Sequence, residues 1–112
     1  MGDCIFCKIA EKQIKADIVY EDEQVLAFKD INAQAPVHVL VIPKEHIPTL
    51  NDIKDFSITS RLMAVITKLA KEYKIAQEGY RVVANCNAAA GQAVFHIHFH
   101  LLGGRNMQWP PG

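Results

Sequence analysis

Charge of one sign is the first thing this 112-residue sequence lacks: twelve Lys and Arg stand against twelve Asp and Glu. A balanced surface offers neither a basic groove for nucleic acid nor a patch for an anionic membrane, so neither is expected as a partner. No apolar run reaches the ~20 residues that span a bilayer. Met1 to Ala10 lacks the basic segment, long apolar stretch and small-residue cleavage site of a secretory signal, which makes the cytoplasm the expected location. Cysteine is sparse and odd in number, at Cys4, Cys7 and Cys86, and without a secretion signal that count argues against a disulfide framework. Internal repeats, low-complexity tracts and long linkers are missing too, so residues 1–112 read as one domain. With 50% hydrophobic residues a core is within reach. A chain this short still exposes much of its surface, which favours an obligate partner.

What is present reads as an α+β layout. Ile5 to Glu11 fits a short amphipathic helix. Ile18 to Tyr20 and Val25 to Phe28 read as hairpin strands around the turn Glu21-Asp22-Glu23. Ala35-Pro36 leads into a third strand, Val37 to Ile42, which Pro43 ends. Ile58, Leu62, Ile66, Leu69 and Tyr73 step by three and four, which predicts a long helix over Asp55 to Ile75 with one face buried. Gly79 then punctuates the chain before a fourth strand, Tyr80 to Ala84, a small-residue loop, Asn85 to Gly91, and a fifth strand, Phe95 to Leu102. Five strands in antiparallel pairs, one long helix and a short N-terminal helix make up the expected fold. The tail from Gly103 to Gly112 is expected to be irregular and, carrying Met107 and Trp109, to dock rather than float.

The chemistry concentrates in Phe95-His96-Ile97-His98-Phe99-His100-Leu101-Leu102. Side chains on a strand alternate faces, so His96, His98 and His100 are expected on one face, with Phe95, Ile97, Phe99 and Leu101 packing on the long helix from the other. Three imidazoles in a row do not serve an apolar core. A three-histidine metal site needs convergence, whereas side chains spaced along one strand stand about 6–7 Å apart, too far to share an ion at about 2 Å. Nucleophilic work fits better. Imidazole can attack phosphorus and leave again, splitting one hard displacement into two easier ones. With an ordinary pKa near 6.5 much of it is neutral at pH 7.

The pattern His-x-His-x-His with apolar x resembles the signature of the histidine-triad superfamily. Ala35-Pro36-Val37-His38-Val39-Leu40-Val41-Ile42-Pro43-Lys44 resembles its upstream block, and Gly91-Gln92 sits just before the triad as expected. The tail Gly103-Gly104-Arg105 through Trp109-Pro110-Pro111-Gly112 resembles the nucleotide-binding, phosphoramidase branch rather than the branch that hydrolyses dinucleoside polyphosphates. The resemblance implies a purine nucleoside 5'-phosphoramidate hydrolase that works through a covalent nucleotidyl-histidine and releases the monophosphate. His98 matches the nucleophile and His100 the histidine beside the phosphate and leaving group. His38 and His96 match supporting histidines. Asn85, Gly91, Gln92 and Ala93 match the phosphate side, and Asp30 matches the ribose-binding acid, a carboxylate able to accept from two adjacent hydroxyls. Ile5, Phe6, Ile9, Phe28, Ile31 and Leu40 match the base slot, positions that also suit plain core. Ala93 departs from the family's usual serine and removes one hydroxyl donor, leaving the backbone N–H. A homodimer with one continuous sheet is implied, with Tyr80 to Ala84 and the long helix at the two-fold and Trp109 reaching toward the partner's site.

Catalysis of this kind needs no metal. Cys4-Ile5-Phe6-Cys7 is a separate signal, open between a redox pair, two buried thiols and a structural zinc site. Some members of the superfamily carry zinc on such a pair plus two histidines, and the matching residues here are His46 and His96. Cys86 reads as packed. Two alternatives stand beside the hydrolase: a purine nucleotide sensing module with little turnover, and a dinucleoside polyphosphate hydrolase.

Overall fold

The computed structural model describes residues 3–112. Helix α1 (Ile5–Ala10) leads into strands β1 (Ile18–Glu21), β2 (Val25–Lys29) and β3 (Val37–Pro43). Helix α2 (Ser57–Glu72) follows, then β4 (Tyr80–Val83) and β5 (Phe99–Gly103), with single 3-10 turns at Leu50–Asp52 and Ala88–Ala90. The sheet is antiparallel with order β1-β2-β3-β5-β4, so the α+β expectation holds in element type and order. Among the described residues no helix is long and apolar enough to cross a membrane.

Alternation along β2 and β3 divides the interior in two. Val25, Ala27, Val39 and Val41 face α2 and pack with its Leu62, Val65, Ile66 and Leu69. Leu26, Phe28, Leu40 and Ile42 face the other way and pack with Phe6 and Ile9 of α1. Burial on both faces explains why β3 is a continuous apolar run rather than an alternating one. The 3.6-residue period of α2 was read correctly, but the helix starts two residues later than Asp55. The Asp55 carboxylate accepts the Ser57 N–H at 3.0 Å and so stands outside the first turn. It ends at Glu72, before Lys74 takes φ 62° and closes the turn.

The largest departure from the sequence expectation is β5. It begins at Phe99, not Phe95. Register pairs Val41 with Phe99, so two residues further on Ile97 would face Pro43, which has no N–H to offer a ladder. The Ile97 N–H turns instead to the Ile47 carbonyl at 2.7 Å, and the Pro43 carbonyl is taken by the His96 ring at 2.7 Å. The inward alternation nevertheless continues past the end of the ladder. Ile97 and Leu101 remain buried in the α2 core, while Phe95, expected there too, stands 48% exposed. The other correction is at the tail: Gly103 is the last residue of β5, paired with Val37 and Tyr80. A Cβ there would lie 2.6 Å from Cδ1 of Ile75, which is why the strand ends on glycine.

Candidate functional site

On the α1 face of the sheet four histidines and one carboxylate meet. His38 comes from β3, directly opposite Leu102, and His100 from β5, opposite Leu40. Both rings lie on the α1 side, with centroids 5.2 Å apart. His98 follows at 5.1 Å from His100, and the Phe6 ring stands edge-on to it at 5.1 Å. His96 lies one step further, 6.0 Å from Phe6, and is completely buried.

Hydrogen bonds determine which nitrogen of each neutral ring carries the proton. The Gln34 backbone N–H can only donate, and it reaches His38 Nδ1 at 3.0 Å. The His38 proton therefore sits on Nε2, which lies 2.9 Å from His100 Nδ1 and 3.3 Å from Asp30 Oδ2. His100 Nδ1 accepts, which leaves its own proton on Nε2. His98 Nδ1 lies 2.8 Å from the His96 carbonyl, an acceptor only, so His98 donates there and keeps a lone pair on Nε2. By the same logic His96 donates from Nε2 to the Pro43 carbonyl and turns a bare Nδ1 the other way. The outcome is a ring with a free lone pair, His98, beside a ring with an N–H to give, His100.

Burial favours the neutral form of His38 and His100. It pushes His100 down to about 4, with neighbouring His98 and His38 adding to the effect and Asp30 opposing it. Burial also lowers His38, again opposed by Asp30. Below the ordinary value near 6.5 the unfolded chain binds these protons and the folded chain does not. Stability at neutral pH is therefore lost as pH falls from about 6.5 toward 4, by roughly 2–3 kcal/mol for the partly exposed His100. Thermal unfolding at pH 7 and 4.5 should show a larger drop for wild type than for His100→Gln, by on the order of 10 °C. Parallel drops would refute the assignment.

The Cys-x-x-Cys pair joins this region from α1. Sγ of Cys4 lies 3.4 Å from His96 Nδ1, and Sγ of Cys7 lies 3.3 Å from His46 Nδ1 and 3.5 Å from His96 Nδ1. All four donor atoms fall within 4.8 Å of one another. A tetrahedral zinc with bonds of about 2.0–2.3 Å has ligand–ligand edges of about 3.3–3.8 Å, so two thiols and two imidazoles fit a metal here. His96 is oriented for it by the Pro43 carbonyl at its far nitrogen. Burial and the neighbouring Cys4 thiol raise Cys7 to about 11, so a metal has to displace its proton. Asp30, His38 and His100 also group within 4.8 Å. Their 2.9 Å imidazole contact is a hydrogen bond, shorter than the ~3.3 Å edge of two nitrogen ligands.

Other expected residues fall differently. Gln92 is buried, and its side chain is consumed internally: Oε1 accepts the Asn87 N–H at 2.8 Å, and Nε2 donates to the Pro48 and Val94 carbonyls. With its backbone N–H also given to Asn87, it braces the loop. Gly91 and Ala93 are exposed beside it and Asn85 is half-buried. Of the base-slot residues, Phe6, Ile9, Phe28 and Leu40 form one cluster, and Ile5 is 46% exposed at the start of α1. Ile31 does not join them; it stands fully in solvent in the turn after β2, where no element covers it. Trp109 is 81% exposed, tethered by Arg81, which donates to the Gln108 carbonyl and lies 6.0 Å from the indole. Sequence reasoning missed Gln34 and Pro43, whose contributions are backbone groups with no side-chain signal.

The chain matches the family model of the HIT domain over residues 11–107. It is 48% identical over 105 residues to the purine nucleoside phosphoramidase of Escherichia coli (strain K12), covering 92% of this chain and 88% of that protein. A HIT-like protein of Synechococcus elongatus is 47% identical over 112 residues, 98% of this chain and 97% of the other. The crystal structure of a HIT family hydrolase from Legionella pneumophila Philadelphia 1 superposes with a TM-score of 0.96 at 50% identity, over 98% of this chain and 100% of that one. A histidine triad protein from Clostridium difficile superposes at 0.94 and 48% identity, over 96% of each chain.

Proposed function

This chain belongs to the HIT domain family of hydrolases, and on that premise we propose that it cleaves purine nucleoside 5'-phosphoramidates through a nucleotidyl-His98 intermediate. The observation that carries the reading is the pairing of a free lone pair on His98 Nε2 with an N–H on His100 Nε2 in one cluster of rings. His98 attacks the α-phosphorus in line, an N–P bond forms and the P–N bond to the amine breaks. Charge on the His98 ring is offset by the His96 carbonyl at Nδ1. His100 gives its proton to the departing nitrogen and recovers one from the water that then cleaves the N–P bond. Asp30 receives the ribose hydroxyls, and Phe6, Ile9, Phe28 and Leu40 receive the purine, with Ile5 at the rim. The backbone N–H of Ala93, beside Gly91, stabilises the phosphate oxygens together with Asn85. Quenching the protein with adenosine 5'-phosphoramidate in alkaline denaturant, where an N–P bond survives, should trap one nucleotide on the peptide carrying His98. A fully active enzyme that never carries the adduct would point to direct attack by water.

We further propose that Cys4, Cys7, His46 and His96 hold a structural zinc, which pins α1 to the sheet and takes no part in the chemistry. The working unit is a cytoplasmic homodimer. The outer edge of β4 is unpaired in the single chain and carries the half-exposed Val82, a surface that pairing would cover. Light scattering should read twice the 12.5 kDa of one chain; a monomer would overturn the dimer.

A further inference from the structure

We propose that Arg105 is a positioning residue for the His38–His100 pair, acting from the tail through the carbonyl of Gln34. The proposal rests on the catalytic reading of His98 and His100. Beyond β5 the chain turns at Gly104, with φ 89°, and runs back over the loop that precedes β3. Arg105 Nε donates to the Gln34 carbonyl at 2.9 Å, and its Nη1 donates to Asn106 at 3.0 Å, so the guanidinium is held at both ends. A second contact lies one residue earlier, where a Cβ on Gly104 would sit 2.9 Å from Cβ of Pro36. The tail and the loop therefore touch closely at two adjacent points.

The loop needs such a tie. Ile31, Asn32, Ala33 and Gln34 are all exposed. Its other side-chain bonds are local: Asn32 N–H to Asp30 Oδ1 at 2.8 Å and Gln34 Nε2 to the Asn32 carbonyl at 3.0 Å. Arg105 reaches it from 71 residues away in sequence. What the loop carries is the Gln34 N–H, the one donor that makes His38 Nδ1 an acceptor and so puts the His38 proton on Nε2. That proton in turn points to His100 Nδ1 and leaves the His100 proton on Nε2, facing the leaving group. If the loop swings away, water replaces Gln34 and can donate or accept. His38 then populates the other tautomer, Nε2 has nothing to give, and His100 loses its fixed orientation. The titratable groups around His100 are Asp30 at the end of β2, His38 from β3, and His98. Asp30 Oδ2, 3.3 Å from His38 Nε2, also favours the Nε2–H tautomer of His38, but only the Gln34 N–H, a donor at Nδ1, makes it exclusive. Arg105 touches neither the phosphate nor the nucleoside cluster, and Asp30 keeps its own N–H bond to the His38 carbonyl at 3.0 Å when the Asn32 contact loosens, so the effect falls mainly on turnover.

The test joins kinetics on adenosine 5'-phosphoramidate to nitrogen-15 NMR of the histidine rings in wild type, Arg105→Ala, Arg105→Gln and Arg105→Lys. Wild type should show His38 protonated at Nε2 and bare at Nδ1. Arg105→Ala should show averaged His38 nitrogens and a kcat lower by about tenfold. KM and AMP affinity should stay within about twofold. Arg105→Lys, which keeps a donor for the Gln34 carbonyl, should recover most of both signals. A wild-type His38 pattern in Arg105→Ala overturns the proposal, whatever happens to kcat, because the residue would then act only on stability. If the alanine variant does not fold, the glutamine and lysine variants decide on the same readouts. Wild-type protein without turnover would sink the catalytic reading, while the His38 pattern would still decide the role of Arg105.

Discussion

Replacing His98 with alanine should lower kcat on adenosine 5'-phosphoramidate by about 10⁴-fold or more, while AMP still binds. The reason lies in where its two nitrogens point. Nδ1 is committed to the His96 carbonyl, so the imidazole cannot flip without leaving a buried polar group unpaired, at a cost of about 1–3 kcal/mol. Nε2 is thereby held out toward the phosphate side with its lone pair free. No other group in the cluster can take over, because His100 Nδ1 is occupied by His38 and its Nε2 carries a proton. His96 is fully buried with its ring turned to the thiols. Binding should survive, because Phe6 keeps its edge-on contact with Phe28 at 5.4 Å and its place in the apolar cluster with Ile9 and Leu40 when the His98 ring is gone. Steady-state kinetics beside isothermal titration with AMP would separate the two effects. Residual turnover within about tenfold of wild type would remove His98 as the nucleophile. Loss of both turnover and binding would point to a collapsed pocket, and His98→Asn, which keeps a donor toward the His96 carbonyl, would then be the deciding variant.

Removing both thiols, as Cys4→Ser with Cys7→Ser, should abolish zinc binding and lower Tm by roughly 10–20 °C, corresponding to about 3 kcal/mol. Helix α1 has only six residues, too few to persist without tertiary anchors. Its buried contacts are Phe6, Cys7 and Ile9, and Cys7 faces both His46 and His96. A metal at that point ties α1 to the segment after β3 and to the segment before β5 at once. Elemental analysis should give one zinc per chain for wild type and none for the double variant, and calorimetry should read the shift. Zinc-free wild type with the full Tm would sink this reading. The same change should reach turnover indirectly, since Phe6 packs on the His98 ring and the His96 carbonyl orients it.

Much of this was legible in the chain itself, and the failures have local causes. Periodicity identified α2 because its buried positions are long apolar residues at steps of three and four. It overextended β5 because the limit is imposed by Pro43, more than fifty residues earlier in the chain. The bracing role of Gln92 had no sequence signal. Its amide is spent on Asn87, Pro48 and Val94, partners that no spacing rule brings together. Ile31, matched to the base slot by resemblance, stands in solvent in the turn after β2, a degree of exposure that its apolar side chain did not signal.

Sequence alone determined the element types, the shared side of the three histidines, and Cys4-x-x-Cys7 as a thiol pair, while His46 and His96 joined that pair only through the family resemblance. The first three follow from alternation, helical period and residue chemistry, which are local. Tertiary structure alone decided which histidine nitrogen is free. A tautomer depends on the partner at the opposite nitrogen, and those partners are the backbone of Gln34, His96 and Pro43, brought within hydrogen-bond reach only by the paired strands and the loops beside them.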